Sequence, residues 1–225
     1  MLISLLEQAV SPWDAFVPIE RGASSGAEEL GPKRRVYMCY VLGSQGSGKA
    51  AFLRCFVQKR FCAEYTQTDE AAVVACRAVV EPDSESDFAH YRYLCATEFE
   101  NGERAIHNKR VMRKCDVAVL LTDLTNPYSF GYALSLHNYI ECNYPWVPCF
   151  HVFTKADKQR ARQASSVTPE AFFKAKGLPE PRSVAFTDYR TVAGLFECIF
   201  HVAEDPGVYS AADLDAVNKH RLQKC

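Results

Sequence analysis

A glycine-rich loop closed by a lysine is the first feature of this chain with evident chemistry. Residues 43–50 read Gly-Ser-Gln-Gly-Ser-Gly-Lys-Ala and lie between a buried apolar run and a helical pattern. In such a loop successive backbone N–H groups surround phosphate oxygens, and the following helix adds the positive end of its dipole. Lys49 should reach the outer phosphates and take part in catalysis, whereas a purely structural glycine turn is the alternative. The predicted contacts are Gly43, Gln45, Gly46, Ser47, Gly48, Lys49, Ala50 and Ala51.

Ala50 departs from the usual form of this loop. The residue after the lysine is ordinarily Ser or Thr, and its hydroxyl ligates magnesium. Because alanine has no oxygen, magnesium must lose one protein ligand or gain a water molecule. We therefore predict that phosphate binding is retained and that magnesium binding is weakened.

A second polar segment, Thr154-Lys155-Ala156-Asp157, follows another apolar run, and its aspartate lies 108 residues after Lys49. In sheets of parallel strands, ligands bind at the carboxyl ends of the strands. The place of this segment therefore predicts contact with a ligand, and an ordinary polar loop is the alternative.

The elements that must position these loops alternate between strand and helix. Strands are predicted at 36–42, 71–80, 88–95, 117–122, 147–153 and 183–186, and helices at 49–60, 127–142, 168–177 and 192–202. Residues 81–87 carry a hairpin signal between the second and third strands. This order predicts an α/β fold, with a mostly parallel six-stranded sheet, one antiparallel edge hairpin and helices on both faces.

Composition limits the remaining classes of function. The chain has 225 residues, 26 Lys and Arg against 27 Asp and Glu, and a formal net charge of −1. This balance predicts no nucleic-acid partner, because no field of one sign covers the whole surface. Since a membrane span needs about 20 apolar residues, none is predicted. The ten cysteines lie mostly in apolar runs without a CxxC pair, which predicts reduced core thiols.

Four zones are predicted along the chain. An apolar helical piece occupies 1–16, and a linker rich in Gly, Ser and Glu occupies 17–33. The α/β domain covers 34–207, and a polar tail covers 208–225.

Three segments resemble the Ras-like small GTPases. The Thr154–Asp157 segment resembles the base-reading motif [NT]KxD of that family, residues 61–68 resemble its first switch FxxxYxxT, and residues 116–130 resemble its fourth strand and the helix start that follows. The resemblance predicts a Ras-like P-loop domain that binds GTP or GDP together with magnesium.

The same resemblance implies individual roles. Lys155 and Asp157 would hold guanine. Thr154 would tie their loop to the glycine-rich loop at residues 43–50, called the phosphate loop below. Thr68, 19 residues after Lys49, would close over magnesium and the γ-phosphate as a catalytic and metal-binding residue, unless its segment is only a polar loop. The last base loop would fall near Thr187 and Asp188, where the match is poor.

The second switch departs from the family pattern DxxG. In the alignment with residues 95–100, Cys95 replaces the aspartate that holds magnesium through water, Glu98 replaces the glycine, and Phe99 replaces the glutamine that orients the attacking water. Together with Ala50, these changes predict weak or slow hydrolysis of GTP.

Within the superfamily, residues 34–207 resemble the C-terminal GTPase domain of the mitochondrial Rho (Miro) family. The resemblance is carried by VYMCYVLGSQGSGKAAFLRCF, CDVAVLLTDLTNPYSF, VTPEAFFKAKGLPEPRSVAFT and VYSAADL. Residues 2–16 resemble the exit helix of that family's last EF-hand. The resemblance implies a location on the cytoplasmic side of the mitochondrial outer membrane, adaptor or motor proteins as partners, and a role in mitochondrial transport and organisation. If the full protein is not anchored to that membrane, a cytoplasmic location is expected instead.

Two classes of function remain open at this point. The first is a slow guanine-nucleotide hydrolase that acts as a switch. The second is a catalytically dead pseudo-GTPase that acts as a protein-interaction module, which Ala50, Cys95, Glu98 and Phe99 favour. Another kind of P-loop phosphotransferase is a third and weaker alternative, against which the Thr154–Asp157 motif argues.

Overall fold

Strands and helices alternate through the part of the chain that the computed structural model describes, namely residues 36–58, 72–81, 90–99, 101–158, 161, 164, 166–192 and 194–208. The strands are β1 (Val36–Gly43), β2 (Ala72–Glu81), β3 (His90–Phe99), β4 (Val117–Asp123), β5 (Cys149–Thr154) and β6 (Arg182–Ser183). The helices are α1 (Lys49–Gln58), α2 (Gly102–His107), α3 (Lys109–Met112), α4 (Ser129–Asn143), α5 (Pro169–Lys176), α6 (Tyr189–Val192) and α7 (Leu195–Glu204).

The six strands form one sheet in the order β2-β3-β1-β4-β5-β6. β2 pairs with β3 in antiparallel register, and the other neighbouring strands are parallel. β1 and β4 lie inside this sheet and are buried almost throughout, which explains their continuous apolar sequences. The predicted α/β class with a mostly parallel sheet is confirmed, and the carboxyl ends of β1, β3, β4 and β5 meet at one edge.

Helices cover both faces of the sheet, because alternate residues of a strand point to opposite faces. On β1, Cys39 and Val41 belong to the core cluster that includes residues of α1 and α7. Tyr40 and Leu42 belong to the cluster that includes residues of α2, α3 and α4. This alternation of side chains between the two faces determines which residues at the end of each strand face the phosphate loop.

Several element boundaries differ from the predicted ones. β3 continues to Phe99, β6 has only two residues, and the last helix is divided into α6 and α7. α4 begins at Ser129 rather than at Pro127, because the Asn126 side chain accepts a hydrogen bond from the Tyr128 N–H and forms a turn first. The predicted pieces at 1–16 and 17–33 and the turn at 82–87 lie outside the described residues. Within the described ranges, no helix has the length and apolar character needed to cross a membrane.

Two buried histidines join α4 to β5. His137 Nδ1 and His151 Nε2 lie 3.0 Å apart, and the rings pack against Phe172 of α5. Burial lowers the pKa of His151 to about 3, and the neighbouring His137 adds to this shift. Burial also lowers the pKa of His137, which Glu141 opposes. The pair therefore favours neutral imidazoles in the folded state.

Acidic pH is expected to destabilise the fold through this pair. Both pKa values in the folded state lie below the ordinary value of 6.5, so the unfolded chain binds more protons. The contribution to stability is complete above pH 6.5 and is lost as the pH falls towards 3. At pH 5, His151 alone should lower the free energy of unfolding by about 2 kcal/mol. Urea unfolding at pH 5 and pH 7 measures this loss.

The exposed residue His201 provides the control for this prediction, because His201→Gln should leave the pH dependence unchanged. Replacing both His137 and His151 with leucine should remove most of the acid-induced loss. An NMR titration of the His151 ring in the wild-type protein checks the cause directly. A ring that takes up its proton near pH 6.5 contradicts the prediction.

Candidate functional site

The phosphate loop has a backbone path that requires glycine. β1 ends at Gly43, the loop continues through Gly48, and α1 begins at Lys49. A Cβ atom on Gly43 would lie 2.6 Å from Ser47 Oγ and 2.7 Å from the Leu121 carbonyl oxygen, which is closer than a side chain allows. Gly48 has a φ of +97°, a conformation that other residues rarely adopt. The loop therefore places the first N–H groups of α1 at the carboxyl edge of the sheet.

The Lys49 side chain lies across this loop. Its Nζ donates hydrogen bonds to the carbonyl oxygens of Gly43 at 3.1 Å and Ser44 at 3.2 Å. Burial lowers the pKa of Lys49, and the negative charge of Glu98 opposes that shift. These contacts hold the ammonium group over the loop that leads into α1, and an ammonium beside the N–H groups of such a loop can bind phosphate oxygens.

A direct hydrogen bond joins the Thr154–Asp157 segment to the phosphate loop. Thr154 is the last residue of β5 and is fully buried. Its Oγ1 donates to the Ser47 carbonyl oxygen at 2.8 Å and lies 3.3 Å from the Thr122 carbonyl oxygen. Two loops that are far apart in sequence are thereby fixed next to each other.

Thr154→Val is expected to loosen both loops. Valine has nearly the same shape but no hydroxyl, so the buried Ser47 carbonyl loses its side-chain donor. A buried acceptor left without a partner costs about 1–3 kcal/mol, which should appear as a lower free energy of unfolding in urea. The exposed Ser166 provides the control, since Ser166→Ala should change stability by less than about 0.5 kcal/mol. An unfolding curve of the valine variant that superimposes on the wild-type curve contradicts this interpretation.

Lys155 forms an ion pair that the sequence did not reveal. Its Nζ lies 2.6 Å from Asp123 Oδ2 at the end of β4, and its backbone has a φ of +59°. The other carboxylate oxygen of Asp123 accepts hydrogen bonds from the backbone N–H and hydroxyl of Thr125. Asp123 thus fixes the lysine of the Thr154–Asp157 segment. The only signal in the sequence was an acidic residue directly after an apolar strand.

A buried serine connects Asp123 to the phosphate loop. The Asp123 N–H donates to Ser129 Oγ at 2.9 Å, and Ser129 Oγ lies 3.0 Å from Ser44 Oγ. Ser129 is the first residue of α4 and is fully buried. The two loops are therefore also linked through the end of β4.

The loop after β6 lies against Asp157. Thr187 Oγ1 lies 3.2 Å from Asp157 Oδ2 and donates to it. Asp188 belongs to the same turn, which the Thr191 hydroxyl closes through hydrogen bonds to Ala185 and Asp188. Of the two residues at the poorest sequence match, Thr187 contacts the Thr154–Asp157 segment directly, and Asp188 follows it in the same turn.

The predicted alignment of the second switch is wrong in its placement of Cys95 and Glu98. Cys95 belongs to the core cluster under α2–α4, so it faces away from the phosphate loop. It is also disulfide-bonded, contrary to the prediction of reduced thiols. Glu98 lies three residues after Cys95 on β3, so its side chain points to the other face of the sheet, and its charge acts on Lys49. The acidic group beside the phosphate loop is therefore Glu98.

Among the described cysteines, the free thiols are Cys39, Cys55, Cys115, Cys142, Cys149 and Cys198.

The other positions at which the family has groups that act on magnesium and water differ in their surroundings. Phe99 packs edge to face on Tyr40, with ring centroids 5.0 Å apart, on the face opposite the phosphate loop. Ala50 is half-buried in the first turn of α1 and presents only a methyl group. Thr68 lies outside the described residues. The described part of the site therefore brings together the residues predicted to contact the phosphates and the base, with the charge of Glu98 acting on Lys49.

The profile of the Ras family matches residues 38–201, which is more than half of the chain, and the chain therefore belongs to the Ras family. This result agrees with the P-loop and with the strand order around it. The family defines the class of domain, and the relatives below indicate the branch.

The curated relatives are mitochondrial Rho GTPases. The chain is 30% identical over 173 residues to Mitochondrial Rho GTPase 1 of Schizosaccharomyces pombe, covering 76% of this chain and 25% of the relative. The corresponding values are 31% over 185 residues for Mycosarcoma maydis, covering 77% and 23%. For Saccharomyces cerevisiae they are 27% over 175 residues, covering 77% and 25%. The chain is Miro-like, and it spans about a quarter of the length of these relatives.

Proposed function

We propose that residues 34–207 form a guanine-nucleotide-binding switch domain with weak or slow GTP hydrolysis. The observation that carries this proposal is the hydrogen bond from Thr154 to Ser47, which holds the base-reading segment against the phosphate loop. Each loop alone has an ordinary structural explanation. Their contact at the carboxyl edge of a parallel sheet supports one bound nucleotide that spans both.

The residues of the site have separate roles in this proposal. The backbone N–H groups of the phosphate loop and Lys49 hold the phosphates. The Asp157 carboxylate accepts hydrogen bonds from the N–H groups of guanine, and Lys155, fixed by Asp123, packs along the base. Thr187 orients Asp157 from the neighbouring turn.

Hydrolysis is proposed to be slow because Ala50, the residue after Lys49, has no hydroxyl to offer magnesium. In phosphoryl transfer the protein acts mainly by positioning the groups and by neutralising charge, so a missing metal ligand has a direct cost. Magnesium, when bound, neutralises charge on the phosphates. Ala50 contributes nothing to holding it, and the proposed dependence of nucleotide binding on magnesium is accordingly weak.

The names of the relatives extend the proposal to the place of the protein in the cell. They describe mitochondrial Rho GTPases, and we propose for the protein a place on the cytoplasmic side of the mitochondrial outer membrane. Adaptor or motor proteins are the proposed partners, in mitochondrial transport and organisation. Because the chain covers about a quarter of these relatives, these proposals concern the whole protein.

Thermal melting with GTP, GDP and ATP, each with and without magnesium, tests nucleotide binding. The proposal expects a rise in melting temperature with GTP and GDP, little rise with ATP, and only a small effect of magnesium. No rise with any nucleotide overturns it. An equal rise with ATP rejects guanine selectivity and favours another P-loop phosphotransferase.

A pseudo-GTPase that works as an interaction module is the second candidate, and Ala50 is the observation that favours it. The two candidates differ in phosphate release from GTP. Release above that of a Lys49→Ala variant supports a slow enzyme. Release equal to that of the variant, with guanine binding retained, supports the interaction module.

A further inference from the structure

A strongly basic segment leads into β4, away from the phosphate loop. Residues 109–114 read Lys-Arg-Val-Met-Arg-Lys, and α3 covers their first four positions. Val111 and Met112 pack into the core cluster under α2–α4. Helical spacing puts the other four residues on the opposite side, and all four are exposed. They form a surface called the basic face below, which consists of Lys109, Arg110, Arg113 and Lys114.

Three of these four cations, Lys109, Arg110 and Arg113, form no ion pair with any other described residue. The nearest acidic residue along the chain is Asp116, which is buried and accepts a hydrogen bond from the Met38 N–H at 2.8 Å. The formal net charge of the whole chain is only −1. The basic face is therefore a local concentration of positive charge on a nearly neutral protein.

Trp146 lies at the same edge of the sheet as the basic face. It stands three residues before β5, and Lys114 stands three residues before β4, the parallel neighbour of β5. Trp146 is 43% exposed, and its ring packs edge to face on Tyr144 with centroids 5.7 Å apart. The Tyr144 hydroxyl donates to the Ile106 carbonyl oxygen at 2.9 Å, which fixes this loop against α2. A firmly supported indole is therefore exposed beside the basic face.

Cations beside an exposed indole favour an anionic membrane surface as the partner. Each Lys or Arg close to such a surface contributes about fivefold in affinity, and Trp is enriched at the level of the lipid headgroups. An acidic protein segment is the alternative anionic partner. Lysine, however, is depleted at protein–protein interfaces, and it supplies half of the cations of the basic face. An anionic bilayer needs only charge and an interfacial side chain, and this surface presents both.

We propose that the basic face and Trp146 form a docking surface for an anionic lipid bilayer. The four cations lie against the acidic headgroups, and the indole lies among these headgroups at the boundary of the acyl chains. The inference does not depend on nucleotide binding, because this surface lies at the amino edge of the sheet and the phosphate loop follows the carboxyl end of β1. Docking therefore leaves the nucleotide edge facing away from the bilayer.

Vesicle binding by the full chain without added nucleotide tests this inference. The chain has only two tryptophans, so Trp13→Phe leaves Trp146 as the single fluorescent indole. Vesicles of phosphatidylcholine with phosphatidylserine should bind the protein and shift the Trp146 emission to shorter wavelength. Vesicles of phosphatidylcholine alone should do neither, and added salt should weaken the binding.

The double variant Lys109→Gln, Arg110→Gln should weaken binding to the phosphatidylserine vesicles by about 25-fold, since two contributions of about fivefold each are lost. Both side chains are exposed, so the variant should keep the circular dichroism of the wild type. The matched control is the double variant Lys158→Gln, Lys174→Gln, which removes the same charge from exposed positions elsewhere. Its affinity should stay within about twofold of the wild type, because salt screens distant charges.

Four results overturn the docking surface and leave the proposed nucleotide function standing, because neither vesicles nor polyglutamate test the nucleotide site. Equal binding to the two kinds of vesicle rejects the role of charge. Wild-type affinity of the Lys109→Gln, Arg110→Gln variant rejects the basic face. Binding to phosphatidylserine without a change in the Trp146 emission rejects the placement of the indole. If soluble polyglutamate shifts this emission and vesicles do not, the partner is an acidic protein segment instead of a lipid.

Discussion

Replacing Lys49 with methionine is expected to weaken GDP binding by about 100-fold or more. The Lys49 ammonium lies across the phosphate loop, where it donates to the Gly43 and Ser44 carbonyl oxygens. In the nucleotide complex it would donate to phosphate oxygens instead. A hydrogen bond to a charged group contributes about 1.5–3 kcal/mol, and each such bond corresponds to about 10–150-fold in affinity. Methionine keeps the unbranched apolar stem but has no charge and no donor, so both contributions are lost.

Isothermal titration with GDP measures this effect, and circular dichroism confirms that the variant is folded. Lys174→Ala is the control, because Lys174 is exposed on α5 and its removal should leave GDP affinity unchanged. A Lys49→Met variant that binds GDP within fivefold of the wild type contradicts the assignment of Lys49 to the phosphates. That result would leave the backbone N–H groups of the loop as the only groups assigned to the phosphates.

Asp157→Asn is expected to change the base that the protein selects. A carboxylate accepts from both the ring N–H and the exocyclic amine of guanine, whereas an asparagine amide offers one acceptor and one donor. The amide therefore fits xanthine, which has a carbonyl in place of the amine. We expect GDP affinity to fall by about 10–150-fold and xanthosine diphosphate affinity to rise, because one mismatched charged contact costs about 1.5–3 kcal/mol.

Competition between the two diphosphates measures the change in selectivity. The Thr187 hydroxyl, which donates to Asp157 at 3.2 Å, can donate equally to an asparagine carbonyl, so the loop itself should be preserved. Asp205→Asn provides a matched control on an exposed carboxylate after α7. If Asp157→Asn retains the wild-type preference for GDP over xanthosine diphosphate, Asp157 does not read the base.

The functional loops could be predicted from the sequence because each is continuous in the chain. The glycine spacing of residues 43–50 follows from the backbone path, and Thr168 caps the start of α5 and Gly177 its end, as predicted. The second switch could not be aligned in the same way. Its aligned segment gives no unique match to DxxG, and the choice between Cys95 and Glu98 depends on strand register. One residue of register moves every side chain to the other face.

The order of elements, the phosphate loop and the Thr154–Asp157 segment follow from the amino-acid sequence alone, since these depend on local periodicity and on residues next to each other. Which side chains meet depends on the tertiary structure. It paired Lys155 with Asp123, joined Ser44 to Ser129, placed Thr187 against Asp157, and turned Glu98 towards Lys49. These contacts cross between strands whose register is set by packing on both faces of the sheet. No single segment of the chain carries that information, because register is a property of the whole core.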